Sequence, residues 1–538
     1  MSPDATADDV HDTPVESDEG SDSSDGPVSG ESGVATAVEV ERKLDVPEGW
    51  TMPALGGVGP VQEVSDPERM TQTATYLDTP WLDLLEAKHT LRRRTGGSDA
   101  GWHLKKPGSG DGRLELTAPL GRGVVRVPLE LRAEVNDVIG PLMLAPVCVL
   151  KTRRVRRHLY GSPRPGGAGG SHVPVLAVVE DDTVEARLLR GGERFKRWRE
   201  VEVELVDGDA DDLEQIVAAL IDSGCTVSDA PSKLSRALEG EAAPRSSKTA
   251  GDRVLQYVAA QVGVIQSLEP QVRVDAPDTV HKTRVATRRL RSTLRTYRGL
   301  FDRDETDPIR DELKWAAALL GQPRDAEVMR DRLFETLDAL SRDLVRGPVH
   351  ERMHTEMERR HAEAHAALVK GLDGARYERL LASLVALVQD PPWSDKAEKK
   401  AAKALPKLVG KAAVKVERKA GRIEELEESA EREEAIHEVR KLAKAARYAA
   451  EAAGDVSGDK ATAVVAAWTD VQDALGEHQD SVVAREVIEQ IYRAALDAGE
   501  DTFTYGVLIA DEVNAAARIE EDMDSLLADA HQATRALG

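Results

Sequence analysis

The run Val38-Glu39-Val40-Glu41-Arg42-Lys43-Leu44 alternates with a period of two, so Glu39, Glu41 and Lys43 leave one face of an extended strand. The pattern returns at Glu200-Val201-Glu202-Val203-Glu204-Leu205, where three acids share a face. In Leu91-Arg92-Arg93-Arg94, Arg92 and Arg94 share a face and Arg93 points the other way. One charged face on a sheet ordinarily meets water. Three such faces in one domain admit a second arrangement, a sheet closed on itself with the charges lining its interior. Packed carboxylates repel and need cations to stay ionised, and Mg²⁺ or Mn²⁺ is the hard partner their oxygens favour. Basic groups lining the same interior need a polyanion, and the combination is what metal-assisted phosphoryl chemistry requires.

Around this stretch, residues 34–240 have the texture of strands separated by turns: VEVERKL, ATYLDT, HTLRRRT, WHLKKP, VVRVPLEL, VPVLAVVE and EVEVELV, with a flexible hairpin loop at GSPRPGGAGG. Two helical pieces interrupt them, ELRAEVNDVIGPLM and DDLEQIVAALIDSG, the second with Asp209 to Asp212 suited to its N-terminus. With no βαβ rhythm, this part is α+β and antiparallel. Residues 241–250 form a linker. From 251 to 538 the composition is helical, broken at DAPD, DRDETDP, GQP, RGP, QDPPWS and GDVSGD, which predicts an all-α domain. It contains a repeat: VHKTRVATRRLRS aligns with IHEVRKLAKAARYA, and LGQPRD with LGEHQD, with His281 and His437 separated by 156 positions and Gly321 and Gly476 by 155. Two copies of one helical unit, about 251–390 and 391–538, are expected.

The chain has 538 residues, 72 Lys and Arg against 96 Asp and Glu, and a net charge of −24. Ten of the acids fall in residues 1–33, which hold no Lys or Arg, so this segment is expected to be a disordered acidic tail. So acidic a chain does not attract nucleic acid through its overall field. No stretch approaches 18 uninterrupted apolar residues, so no membrane span is expected. MSPDATADDVHD lacks the basic start and apolar core of a secretory signal. Cys148 and Cys225 form no CxxC pair and read as buried thiols of a reducing cytoplasm. The GxxxxGK[ST] phosphate loop is missing, which excludes a P-loop hydrolase.

The first part resembles the CYTH domains, the triphosphate tunnel metalloenzymes. E-x-E-x-K at 39–43 is followed in order by Tyr76-Leu77-Asp78-Thr79, LRRR, GWHLK with Lys105, DGRLE with Arg113 and Glu115, KTRR with Arg153, VVEDDTVEA with Asp181 and Asp182, EVEVEL, and SKLSRAL with Lys233. The resemblance implies an eight-stranded antiparallel β tunnel that hydrolyses a triphosphate with Mg²⁺ or Mn²⁺. It places metal ligands at Glu39, Glu41, Glu115, Asp182 (or Asp181), Glu200, Glu202 and Glu204. It places a phosphate clamp at Lys43, Arg92, Arg94, Lys105, Arg113, Arg153 and Lys233, with Glu39, Glu41, Lys43, Arg92 and Arg94 at the catalytic centre. Neighbouring arginines in LRRR and KTRR leave a one-residue register shift open.

In the helical part, His281, Arg284, Arg288, Arg291 and Arg295 fall within about 80° of arc, while Ala286, Leu290, Leu294, Tyr297 and Phe301 form a separate apolar stripe. Residues 281–301 carry seven bases and no acid. Like charges so placed repel unless something anionic covers them. His437, Arg440, Lys444 and Arg447 repeat the spacing, and Lys403, Lys407 and Lys411 add another basic face. This H-x-x-R-x-x-x-R-x-x-R helix, the later LG-x-x-RD turn and the duplication resemble the CHAD domain, which implies binding of long-chain polyphosphate without catalysis.

The expected activity is therefore metal-dependent hydrolysis of inorganic triphosphate in the tunnel, with polyphosphate held by the helical domain, in the cytoplasm or at polyphosphate granules. The alternatives are an adenylate cyclase or a thiamine or nucleoside triphosphatase on the same scaffold, a non-catalytic polyphosphate-binding protein, and a nucleic-acid-binding helical module.

Overall fold

The computed structural model describes residues 35–537 except 98, 109–112, 122–125, 166–170, 190–193, 242–247, 424–425, 427–429 and 455–458. The expected acidic tail lies outside the described residues, as do most of the linker and the centre of the GSPRPGGAGG loop.

The first part contains β1 (Ala35–Glu39), β2 (Glu41–Asp45), β3 (Glu63–Val64), β4 (Glu68–Asp78), α1 (Asp83–Glu86), β5 (Thr90–Thr95), β6 (Gly101–Pro107), β7 (Arg113–Ala118), α2 (Leu129–Ala133) and α3 (Asn136–Ile139). It continues with β8 (Ala145–Tyr160), the small pair β9 (Arg164–Pro165) and β10 (Ser171–His172), β11 (Val175–Leu188), β12 (Arg194–Leu205), α4 (Ala210–Asp222), β13 (Thr226–Val227) and α5 (Lys233–Ala237). The main sheet has eleven strands in the order β1-β7-β6-β5-β4-β8-β11-β12-β2-β13, with β3 on β8. Neighbours on this path pair antiparallel.

The two ends of this order are one run of chain, because β1 and β2 are separated only by Val40. The Leu205 N–H donates to the Val40 carbonyl at 2.9 Å, carrying the ladder across that break. With β1 on β7 and β2 on β12, the sheet closes into a tunnel. Taken as one bent strand, β1–β2 joins β4, β5, β6, β7, β8, β11 and β12 as the wall; β3 and β13 are two-residue additions to the eight strands expected.

Apolar residues of opposite parity cover the outside. Val179, Val201 and Val203 pack under Leu213, Ile216 and Leu220 of α4, which Asp209 caps by accepting from the Asp212 N–H at 2.9 Å. Leu91, Trp102, Leu104 and Leu116 pack against Leu131, Val135 and Ile139. Inside, the polar row on β11 gives way to Val184, Ala186 and Leu188, which meet Leu234, Ala237 and Leu238 of and beside α5. The α5 segment thus fills one end of the tunnel. VVRVPLEL does not continue the strands: Arg126–Pro128 is irregular and α2 begins after Pro128, which has no N–H to give a ladder. Cys148 and Cys225 are free and buried.

The second part is helical: α6 (Ala250–Arg273), α7 (Thr279–Thr296), α8 (Arg303–Ala339), α9 (Val349–Leu372), α10 (Ala375–Gln389), α11 (Ala401–Ala420), α12 (Ala430–Ala453), α13 (Asp459–Asp497) and α14 (Phe503–Leu537). The repeat appears as α7–α8 and α12–α13. The stretch LGQPRD, expected to turn, lies inside α8, which runs on through Pro323, and LGEHQD lies inside α13. The buried Tyr297 hydroxyl donates to the Ala449 carbonyl at 2.6 Å, joining the copies. No described helix is long and apolar enough to cross a membrane.

The two parts share a core, since Leu142, Met143 and Ala145 pack among helix residues. A Cβ on Gly263 would lie 2.0 Å from the Pro141 carbonyl, so only glycine permits α6 to approach that closely.

Candidate functional site

Alternation around the closed wall gathers the charges of the first part in one cavity of about 90 Å³. Glu39, Glu41 and Lys43 enter from β1–β2, Arg92 and Arg94 from β5, Lys105 from β6, and Arg113 and Glu115 from β7. Arg154 and Arg156 come from β8, Glu180 from β11, Glu202 and Glu204 from β12, and Lys233 from the start of α5. Asp182 and Glu200 are buried beside them through Lys233, whose Nζ lies 3.1 Å from Asp182 and 2.8 Å from Glu200, and which also pairs with Glu202.

Arg153 is a correction. Its side chain is 65 % exposed and lies 3.6 Å from Glu185 on the outside, because Leu150, Thr152 and Arg154 hold the inward parity of β8. Arg154 takes the expected place. Asp181 also points outward, accepting from Arg199 at 2.7 and 2.8 Å. Arg93 faces out of the tunnel, toward the helical part. Sequence reasoning left Arg154 open as the one-residue alternative to Arg153 and missed Arg156, Glu180, His103 and Asp99. The alternation of Glu180 with Asp182 was the available signal for one of them.

Electrostatics divide the interior in two. Around β12, burial works against charge, yet Lys233, Lys43 and Arg154 hold Glu202 well below the usual carboxylate range. Lys233 is driven well above the usual lysine value against its burial by Glu202, Asp182 and Glu200. Around β7, burial pushes Glu39 up to about 7 with Glu115 beside it, while Lys105 donates to its carboxylate. Glu115 is buried too, but His103, at 3.0 Å, and Glu39 hold it low. Arg92 donates to the Tyr76 hydroxyl at 3.4 Å. Burial and neighbouring Arg92 pull Arg94 down to about 9, and Asp99, a third exposed, pairs with it from the β5–β6 turn.

The donor set fits divalent cations. Glu180, Asp182 and Glu202 offer oxygens within 4.8 Å of one another. Glu204 makes no ion pair among the described residues, and its carboxyl is raised by burial and by Glu180, Glu41 and Glu202. All-oxygen sets of this kind suit Mg²⁺ or Mn²⁺.

A second cationic site lies where α7 meets α12. Arg284 donates to Asp325 at 2.7 Å, and its repeat counterpart Arg440 sits 3.9 Å from Asp480. Arg288 and Lys444 lie between them; burial, Arg284 and Arg440 lower Arg288. Burial, Arg440, Arg288 and Arg284 bring Lys444 down to about 7. Arg291 and Arg295 continue the stripe beside Arg310. Arg447 departs from it, donating to Glu451 at 3.0 Å and Gln472 at 3.1 Å. His281 and His437 are half-buried at the start of each copy, their rings lowered by burial and then by Arg324 and Lys441 respectively. Lys403, Lys407 and Lys411 are exposed or half-exposed on α11.

The CYTH domain profile matches residues 37–232 and the CHAD domain profile residues 256–489. The chain is 37% identical over 512 residues to an uncharacterized protein of Mycobacterium tuberculosis, covering 93% of this chain and 98% of that one. A stretch of 130 residues is 39% identical to thiamine-triphosphatase of Homo sapiens, covering 22% of this chain and 52% of that enzyme. Among solved structures it is similar to the CHAD domain of the plant Ricinus communis, with TM-score 0.43 and 22% identity, covering 54% of this chain and 94% of that one. With a closed β tunnel lined by acids and bases, a duplicated helical part behind it and both profiles matched in that order, the chain belongs to the proteins that join a CYTH domain to a CHAD domain.

Proposed function

We propose that the tunnel hydrolyses inorganic triphosphate with divalent metal and that the α7–α12 groove holds polyphosphate. The observation that carries this reading is the convergence of eight cationic side chains and a carboxylate cluster in one enclosed channel. Lys43, Arg92, Arg94, Lys105, Arg154 and Lys233 would hold the phosphate oxygens and offset the charge that develops as the anhydride P–O bond breaks and water adds to the terminal phosphorus. Glu202 with Glu180 and Asp182, and Glu39 with Glu41 and Glu204, would hold the metal, with Glu200 and Glu115 keeping Lys233 and His103 in place. When bound, the metal supplies Lewis-acid polarisation of the phosphate and a more acidic water.

Thiamine triphosphate is the second reading, favoured by the likeness to the human thiamine-triphosphatase. Against it, Tyr76 is the one aromatic residue of the described lining, and its hydroxyl is engaged with Arg92. Phosphate release from triphosphate, thiamine triphosphate and ATP, with Mg²⁺ or Mn²⁺, tests both. Loss in Glu41→Ala and Arg94→Ala with retention in Arg153→Ala is expected. Equal activity in all three overturns the site. The same reading puts the protein at cytoplasmic polyphosphate stores.

A further inference from the structure

Between the outside of the tunnel wall and the helical part lies a cavity of about 430 Å³. That volume falls within the range of small-molecule sites, roughly 300–1,000 Å³. Its walls are largely apolar, with Trp102 from β6, Leu144 before β8, and Leu381 and Val385 from α10. Arg93, Arg126 and Arg132 line it, together with one acid, Glu378 of α10. Arg132 is 9 % exposed; its Nη2 donates to the Gly140 and Leu142 carbonyls at 2.9 Å each, and its buried Nη1 has no partner among the described residues. Arg93, turned out of the tunnel by strand alternation, has a buried Nε with no partner among the described residues. Of the acids nearby, Glu269 accepts from Arg126 at 2.5 Å, and Glu378 is a solvent-exposed residue of α10. Burial, with no acid opposing it, brings Arg132 down to about 10.

An unpaired buried N–H costs about 1–3 kcal/mol, more when charged, so a native cavity that keeps two such groups is built for something that accepts from them. Water answers the N–H groups but leaves the Trp102–Leu381 walls wet. We propose that this cavity binds a small organic anion, with a single carboxylate, sulfonate or phosphate head facing Arg93 and Arg132 and an apolar body against Trp102, Leu144, Leu381 and Val385. Its walls come from both parts of the chain, so the occupant ties the tunnel to the helices. The site is separate from the tunnel and stands independently of the activity proposed there.

The probe is 8-anilinonaphthalene-1-sulfonate, titrated by fluorescence into the full chain, with the neutral N-phenyl-1-naphthylamine as comparison. One sulfonate per chain is expected. Arg93→Met, at a side chain with no partner to lose, should weaken it about tenfold, and Val385→Trp should block both probes. If Val385→Trp does not fold, Arg93→Met decides alone. Failure of the parent to bind, unchanged sulfonate affinity in Arg93→Met, an equal loss of the neutral probe in Arg93→Met, or a folded Val385→Trp that still binds both probes overturns the proposal.

Discussion

Arg154 and Asp182 face one another across the β8–β11 pairing, with Nε and Nη2 of the arginine donating to both carboxylate oxygens at 2.8 and 2.6 Å. Asp182 is fully buried, and the same guanidinium also reaches Glu180 and, at 3.5 Å, Glu202. One cation therefore holds three buried carboxylates.

Removing it leaves those acids with Lys233, Lys43 and Arg156 as their remaining close cations. Breaking a buried pair by deleting one partner costs about 3–5 kcal/mol. Arg154→Ala is expected to lose that much stability in urea unfolding and at least a hundredfold in triphosphate turnover, while Arg153→Ala stays within about 0.5 kcal/mol of the parent. Equal losses in the two variants would show the register to be wrong.

Asp99 occupies Arg94 from the turn after β5. On the proposed reading, a triphosphate oxygen competes with Asp99 for Arg94 Nη1. Asp99→Ala frees the guanidinium in advance. With a pair whose carboxylate is partly open to solvent worth about 1 kcal/mol, KM should fall about fivefold and kcat should hold. A KM that rises or stays fixed would place Asp99 outside the binding path.

Much of this was legible in the sequence because strand parity is strict. Glu39 with Glu41, and Glu200 with Glu202, share a face whatever the sheet does. Closure was not legible locally, since it rests on β1 meeting β7 and β2 meeting β12 across long stretches of chain. Nor was the choice between Arg153 and Arg154: adjacent arginines offer both parities, and the pairing of Arg154 with Asp182 on another strand decides. In Glu180-Asp181-Asp182 three consecutive acids hide which two turn inward. Pro323 read as a break because propensity is local, whereas the packing of α8 overrides it. Arg447 was grouped with the basic stripe although Glu451, one helical turn on, was in plain view as its partner.

Metal removal should act on stability as well as rate. A cation bound at a hundred times its Kd adds about 2.7 kcal/mol to the folded state. The chelated protein should be inactive toward triphosphate and melt several degrees lower, with Mg²⁺ or Mn²⁺ restoring both. Glu202→Gln should lose the metal-dependent part of the melting shift. An unchanged melting temperature on chelation would argue against the carboxylate cluster as the metal site.

Screened charge predicts how the helical groove responds to salt. Each phosphate neutralised by one cation contributes about one to the slope of log affinity against log salt. Arg288 has a buried Nε without a partner and makes no competing ion pair, so Arg288→Ala should weaken long-chain polyphosphate binding and reduce that slope by about one. Lys403→Ala, on the exposed face of α11, should leave both unchanged. Identical slopes for parent and Arg288→Ala would remove Arg288 from the groove.

Lys444 makes the groove pH-dependent. Burial, then Arg440, Arg288 and Arg284, bring its ammonium from 10.5 to about 7, so it loses its charge just above neutrality. Asp480, itself raised by burial, faces the same cluster and offsets it in part. Unfolding returns Lys444 to its ordinary value, so between pH 7 and 10.5 the unfolded chain binds more protons and the stability contribution of Lys444 rises with pH. Polyphosphate bound in the proposed groove would reverse the balance by restoring the charge. Binding should therefore take up protons at pH 8 and weaken about tenfold as pH rises from about 6 to about 8.5. Calorimetry in two buffers of different ionisation heat measures the uptake. Lys444→Arg, charged throughout, should bind more tightly at pH 8 and show no uptake from this position. The same uptake in parent and variant would assign the proton to another group and leave Lys444 charged in the free groove.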